Sequence, residues 1–174
     1  MVNSDLVIDF VNTAGFGPDR EDLQTPAQLL EWLRERGLEP GGRATAADLA
    51  EARNVREALR DILWNHNDCD CDVTGAIQVI DDAACRAHLG VRFSDGGSRI
   101  EPRNPGVRGA LGRILGEVSA GMADGTWERL KACSADDCRY AFLDTAKNRS
   151  RAWCSMQSCG NRAKVHAYRE RHQA

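Results

Sequence analysis

Four cysteines constrain this chain more than any other feature. Cys133 and Cys138 form one C-x4-C pair, Cys154 and Cys159 form a second, and 15 residues separate the two. Two close thiol pairs bracketing a short basic segment suit a tetrahedral Zn²⁺, which binds thiolates at about 2.3 Å. Each pair forms one claw, and the intervening segment folds back to bring the claws together. The same four residues also allow two disulfides, scattered buried thiols or an iron–sulfur cluster. With zinc, all four coordination positions come from protein. A catalytic zinc needs an open position for water, so the expected ion is structural.

The 174-residue chain is long enough to build an apolar core that does not depend on zinc. One domain, or one core with a small appended module, is expected. The 42% apolar and 28% charged residues read as a soluble globular protein. No run of 18 apolar residues occurs, so no membrane span is expected. The opening MVNSDLVIDF lacks the basic and long apolar regions of an export signal. A cytoplasmic protein in a reducing compartment is expected. The seven cysteines are an odd number, and Cys69, Cys71 and Cys85 lie outside the four. That count favours thiols and metal over a disulfide framework.

Charge is divided unevenly. The chain totals −3, yet residues 131–174 hold nine Lys and Arg against four acidic residues, a net +5. Residues 1–130 therefore carry −8. Four thiolates and one Zn²⁺ would leave the tail still basic. A basic tail suits a polyanion partner, and equally suits docking on the acidic body.

Hydrophobic spacing and capping residues predict a mainly helical chain. Residues 5–12 are a short apolar run that a strand or a helix would accommodate equally. Thr25, Pro26 and Gln28 announce a helix with a capping box, ended by Gly37. Thr45 and Asp48 announce a second, near 46–65, with Leu49, Ala52, Val55, Leu59 and Leu63 at helical spacing. A third spans Thr74 to Ala87, with Ile77, Ile80 and Ala84 on one side. Residues 88–102 read as a hairpin around Asp95-Gly96-Gly97. Pro105 opens a further helix bearing Val107, Leu111, Leu115 and Val118, and Gly121 to Gly125 read as a break. The last helix runs from Asn161 to Arg171. The expected fold is a helical amino-terminal domain with one small β-hairpin over 1–130, followed by a four-cysteine zinc module over 131–174.

The string Asn148-Arg149-Ser150-Arg151-Ala152-Trp153-Cys154-Ser155-Met156, with Cys159-Gly160-Asn161-Arg162-Ala163-Lys164, resembles the CGNR zinc-finger family. Asp9-Phe10-Val11-Asn12-Thr13 resembles the start of the ABATE domain that precedes that finger, with Ile8 in place of the family's usual leucine. The resemblance implies a mostly helical domain, a finger with four thiolate ligands, and a role in bacterial transcription regulation. It places the metal ligands on Cys133, Cys138, Cys154 and Cys159, and the name motif on Cys159, Gly160, Asn161 and Arg162. Gly160 would relieve crowding near the metal, and Asn161 would cap the final helix. Arg162 would contact phosphate or brace the claw through a carboxylate such as Asp144.

Double-stranded DNA is the leading partner. Lys147, Arg149, Arg151, Arg162, Lys164, Arg169 and Arg171 are the candidate contacts, most of them to phosphate. Trp153 and Phe142 read as core of the finger. Asp9 and Asn12, polar residues in an apolar run, are candidates with Arg103, Asn104 and Arg108 for a pocket that binds a small-molecule effector. His66, Asp68, Cys69, Asp70, Cys71 and Asp72 mix soft and hard ligands but read as an acidic loop. Gly15-Phe16-Gly17 and Gly96-Gly97 lack a complete phosphate-loop pattern, and no nucleophile-elbow sequence occurs. An enzyme is not expected. A zinc-shaped protein-interaction adaptor is the alternative, with a small-molecule-binding sensor or enzymatic body third. A homodimer is allowed, though no heptad pattern calls for one.

Overall fold

The computed structural model describes residues 3–15, 20–67, 69 and 71–172. Phe16, Gly17, Asp68 and Asp70, which figure in the motifs above, lie outside them. The amino-terminal run is a helix, α1 (Ser4–Val11), capped by the Asn3 side chain. Its apolar residues Leu6, Val7, Phe10 and Val11 repeat at helical rather than alternating spacing, which decides between the two conformations the run allowed. Then come α2 (Pro26–Glu35) and α3 (Ala46–Asn65), each opened by the capping box its sequence announces. α4 (Thr74–Ala87) leads into the hairpin of β1 (Leu89–Ser94) and β2 (Gly97–Pro102), turned through Asp95-Gly96 with Ser94 opposite Gly97. α5 (Gly106–Asp124) follows. Among the described residues no helix is long and apolar enough to cross a membrane.

Two expectations about helices are corrected. The inward face of α4 is Ala83 and Ala87, with Ile80 and Ala84 half-buried beside them, whereas Ile77 is 49% exposed. Gly121 does not break α5. It is buried inside the helix, which ends at Gly125 in the left-handed conformation (φ 78°). Glycines inside α5 serve close packing instead. A Cβ on Gly112 would fall 2.7 Å from that of Ala87, and one on Gly116 would fall 2.8 Å from the Ile100 carbonyl oxygen. The helix can therefore lie directly against α4 and β2.

One apolar core runs through the body, built on Phe10, Leu29, Leu33, Leu59, Leu63 and Ile114. α3 also buries two arginines, each fully engaged. Arg56 holds Glu21 at 2.6 Å and donates to the Thr13 hydroxyl at 3.2 Å. Arg60 donates to the carbonyls of Val11 and Ala14 (2.5 and 2.8 Å), satisfying the open end of α1. Burial alone would raise the Glu21 carboxyl. Hydrogen bonds from Arg56 and Leu23 N–H, with the positive charge nearby, hold it below its ordinary range.

A single 3₁₀ turn (Trp127–Arg129) connects the body to an antiparallel ribbon of β3 (Leu130–Ala132) and β4 (Ala141–Leu143). The pleat sends alternate residues to opposite sides. Leu130, Ala132, Ala141 and Leu143 pack into the body's core. Lys131 and Phe142, the pair between them, face the cysteine module, and Cys133 joins that side. Body and module therefore share one ribbon, and the expected boundary at 130/131 cuts through it.

Candidate metal centre

Beyond the ribbon the chain has little regular structure until a π-turn (Met156–Gly160) runs straight into α6 (Asn161–His172). Cys133 leaves β3 and donates its N–H to the Tyr140 carbonyl at 2.9 Å. Cys138 closes a tight turn, its N–H on the Ala135 carbonyl at 2.9 Å, and Arg139 after it takes a left-handed conformation (φ 50°). Cys154 lies two residues before the π-turn and Cys159 within it, and the start of the turn is capped by Ser155. These turns bring all four Sγ atoms within 4.8 Å of one another. The Cys138–Cys154 and Cys154–Cys159 sulfurs lie 3.6 and 3.7 Å apart. A tetrahedron with zinc–sulfur bonds of about 2.3 Å has edges of roughly 3.8 Å, so these four thiols fit a single zinc ion. They are the one group of this kind among the described residues.

The proton chemistry of the thiols fits a cation as well. Burial pushes the Cys138 thiol up to about 11, and burial with its sulfur neighbours pushes Cys154 higher still. Burial opposes ionisation of Cys159 too, but the Arg162 guanidinium, 3.3 Å from its sulfur, helps bring it down to about 7. Without a metal, Cys138 and Cys154 keep their protons at neutral pH. Binding zinc must displace those protons, so its affinity rises with pH.

Residues around the ligands hold the claws in place. Arg162 makes two hydrogen bonds to Asp137 (2.6 and 3.1 Å), thereby tying the helix after the second claw to the loop of the first. The brace is thus Asp137 and not Asp144. Asp144 is fully buried and pairs with Lys131 at 3.1 Å, while accepting the N–H groups of Ala146 and Arg151 (2.9 and 3.0 Å). Burial would raise its carboxyl, and these donors hold it below the usual carboxylate range. Trp153 and Phe142 form the module's small core with Cys133 and Cys159, as expected. Gly160 is required by closeness to Trp153 and Met156 rather than to the metal, since a Cβ there would meet them at 2.9 and 2.8 Å. Asn161 does not cap α6. The helix is already under way from Ser155, and Asn161 donates its side-chain N–H to the Gln157 carbonyl at 3.2 Å.

The seven basic candidates divide by environment. Arg151 turns inward, over the Phe142 ring at 4.6 Å and bonded to the carbonyls of Trp153 and Cys154. Arg149 pairs with Glu128 at 2.6 Å. Lys147, Lys164, Arg169 and Arg171 are exposed and make no ion pair among the described residues.

The five pocket candidates do not converge. Asn12 is buried and clamps β4, donating to the Ala141 carbonyl at 3.0 Å and accepting its N–H at 2.8 Å. Asp9 is half exposed and faces Arg36 at 3.5 Å. Asn104 donates to the Arg86 carbonyl at 2.6 Å, Arg108 lies 3.7 Å from Glu51, and Arg103 sits beside Gly90. Cys69 and Cys71, expected as thiols, are joined by a disulfide, their Cα atoms 5.4 Å apart and so within bridging reach. Sequence reasoning missed the groups that seat the module on the body. Besides Asn12 these are His66, whose Nδ1 meets the Leu130 carbonyl at 2.7 Å, Asn67, bonded to the Ala132 carbonyl, and Arg139, 3.6 Å from the Trp64 ring centroid. Asn12 alone gave a signal, as a polar residue in an apolar run.

The chain matches two family models. That of the ABATE family, described as "Putative stress-induced transcription regulator", covers residues 4–125, and that of the CGNR zinc finger covers residues 129–172. No curated protein matches it. With the body matched almost end to end and the four sulfurs gathered as the finger requires, the chain belongs to the ABATE family and carries a CGNR zinc finger with a single structural zinc site.

Proposed function

We propose that the protein is a DNA-binding transcription regulator in which the zinc holds α6 in position to dock on duplex DNA. The observation that carries this reading is the state of α6. None of its residues whose burial is described is fully buried, and the exposed Arg162, Lys164, Arg169 and Arg171 stand on it. A polar 12-residue helix is marginal by itself in water. This one is anchored at its first turn through Cys159 and the Arg162–Asp137 pair. At about 18 Å long it suits the major groove, with Lys147 on the preceding loop near enough in sequence to contribute phosphate contacts. In this reading the metal shapes the surface, no catalytic group is needed, and the protein works in the bacterial cytoplasm.

Titration of a labelled duplex with zinc-loaded protein at several salt concentrations tests it. The logarithm of the binding constant should fall linearly with log salt, and Lys164→Ala and Arg169→Ala should each flatten the slope by about one phosphate contact. No detectable binding at low salt rejects the reading. A second reading rests on Met156, Val165 and Tyr168, which are 53%, 48% and 58% exposed on the same segment and suit an adaptor that binds a protein. In that case Val165→Glu, not the charge removals, would abolish function.

A further inference from the structure

We propose that the body binds a small amphipathic monocarboxylate in a cleft walled by the hairpin, α5, the start of α1 and the end of α2. The cleft measures about 590 Å³, within the range of small-molecule sites. Its apolar lining includes Leu6, Leu38, Val91, Ile100 and Ala120. The absence of a side chain at Gly116 lets β2 lie against α5 and shape that lining.

Two guanidiniums supply the polar end, and both are organised around Leu38. Arg113 donates one N–H to the Leu38 carbonyl at 2.7 Å and makes no ion pair among the described residues. Arg36, two residues before Leu38, lies over the Trp32 ring at 4.4 Å. Its terminal nitrogens reach Glu35 and Asp9 (3.2 and 3.5 Å), while its Nε is buried with no hydrogen-bond partner. A buried donor left in that state is costly, and the remaining N–H groups of Arg113 in the lining suit a charge-assisted bond to a ligand carboxylate. The other charged groups in the cleft already have partners. Arg99 lies 3.4 Å from Glu101, and Glu117 accepts the Asn3 N–H at 2.6 Å. Those two glutamates disfavour a dianion such as phosphate, and the apolar lining favours a ligand with a hydrocarbon body. None of Asp9, Asn12, Arg103, Asn104 and Arg108 lines this cleft.

The test uses the full-length, zinc-loaded protein and hexanoate as probe, followed by chemical-shift titration. Saturable shifts in α2, α5 and the hairpin are expected, with hexan-1-ol binding at least about tenfold more weakly because it lacks the charge. Arg113→Gln should weaken hexanoate by a similar factor. Ala120→Phe, a change at an exposed helical position that fills the cleft, should abolish binding with the circular dichroism spectrum unchanged. No saturable shift, equal binding of the alcohol, or undiminished binding by folded Ala120→Phe protein would overturn the assignment. DNA takes no part in these measurements, so they stand apart from the nucleic-acid reading.

Discussion

The helical body and the cysteine module are held together by different physics. The body closes around a continuous apolar core from α1 through α5, whereas the module's own apolar cluster has just Cys133, Phe142 and Cys159 as its buried members among the described residues, with Trp153 half-buried beside them. Hydrophobic burial at about 25 cal/mol per Å² can organise the first. It is insufficient for the second, where four sulfurs are gathered within 4.8 Å and two of them hold raised pKa values. Metal supplies what the small core lacks. The β3–β4 ribbon belongs to both regions, one face in each, so the module is a metal-dependent extension of the body's sheet edge rather than a bead on a linker.

The largest effect should come from breaking the metal side alone. Cys159→Ser, or a strong chelator, removes a contribution of about 10–16 kcal/mol in apparent binding free energy. Hydrogen exchange should then show residues 144–172 unprotected while α2, α3 and α5 stay protected. Loss of protection throughout the body would show that the two regions form one cooperative unit. A smaller effect should come from the junction. Asn12→Ala leaves the buried N–H and carbonyl of Ala141 without their partners, at about 1–3 kcal/mol per group. Denaturant melting should register that loss, with zinc stoichiometry unchanged. The smallest should come from His66, which supports Leu130. Burial holds its pKa below the ordinary value, so the unfolded chain takes up the proton first. Its contribution is complete above the unfolded value of about 6.5 and declines as pH falls through it. A shallow drop in melting temperature between pH 7 and 5.5, reduced in His66→Asn, is the expected result.

Much of this was legible locally. Capping residues placed the starts of α2 and α3, and the spacing of thiols placed the ligands, because both signals lie within a few residues of the structure they specify. Gly121 misled because glycine reads as a breaker, whereas it lies buried inside α5; at Gly112 and Gly116 the cause of such glycines is tertiary, since side chains there would collide with α4 and β2. Ile77 misled because α4 packs its alanines inward to approach α5. The Asn12–Ala141 clamp joins residues 129 apart and has no local signature. The brace of Arg162 fell on Asp137 because Asp144 is buried with Lys131, a pairing that depends on the register of the ribbon.

X-ray absorption at the zinc edge of the purified full-length protein tests the central claim most directly. One zinc per chain with four sulfur neighbours at about 2.3 Å is the predicted result. Nitrogen or oxygen neighbours in the first coordination sphere, or a chain that holds no zinc under reducing conditions, would contradict it.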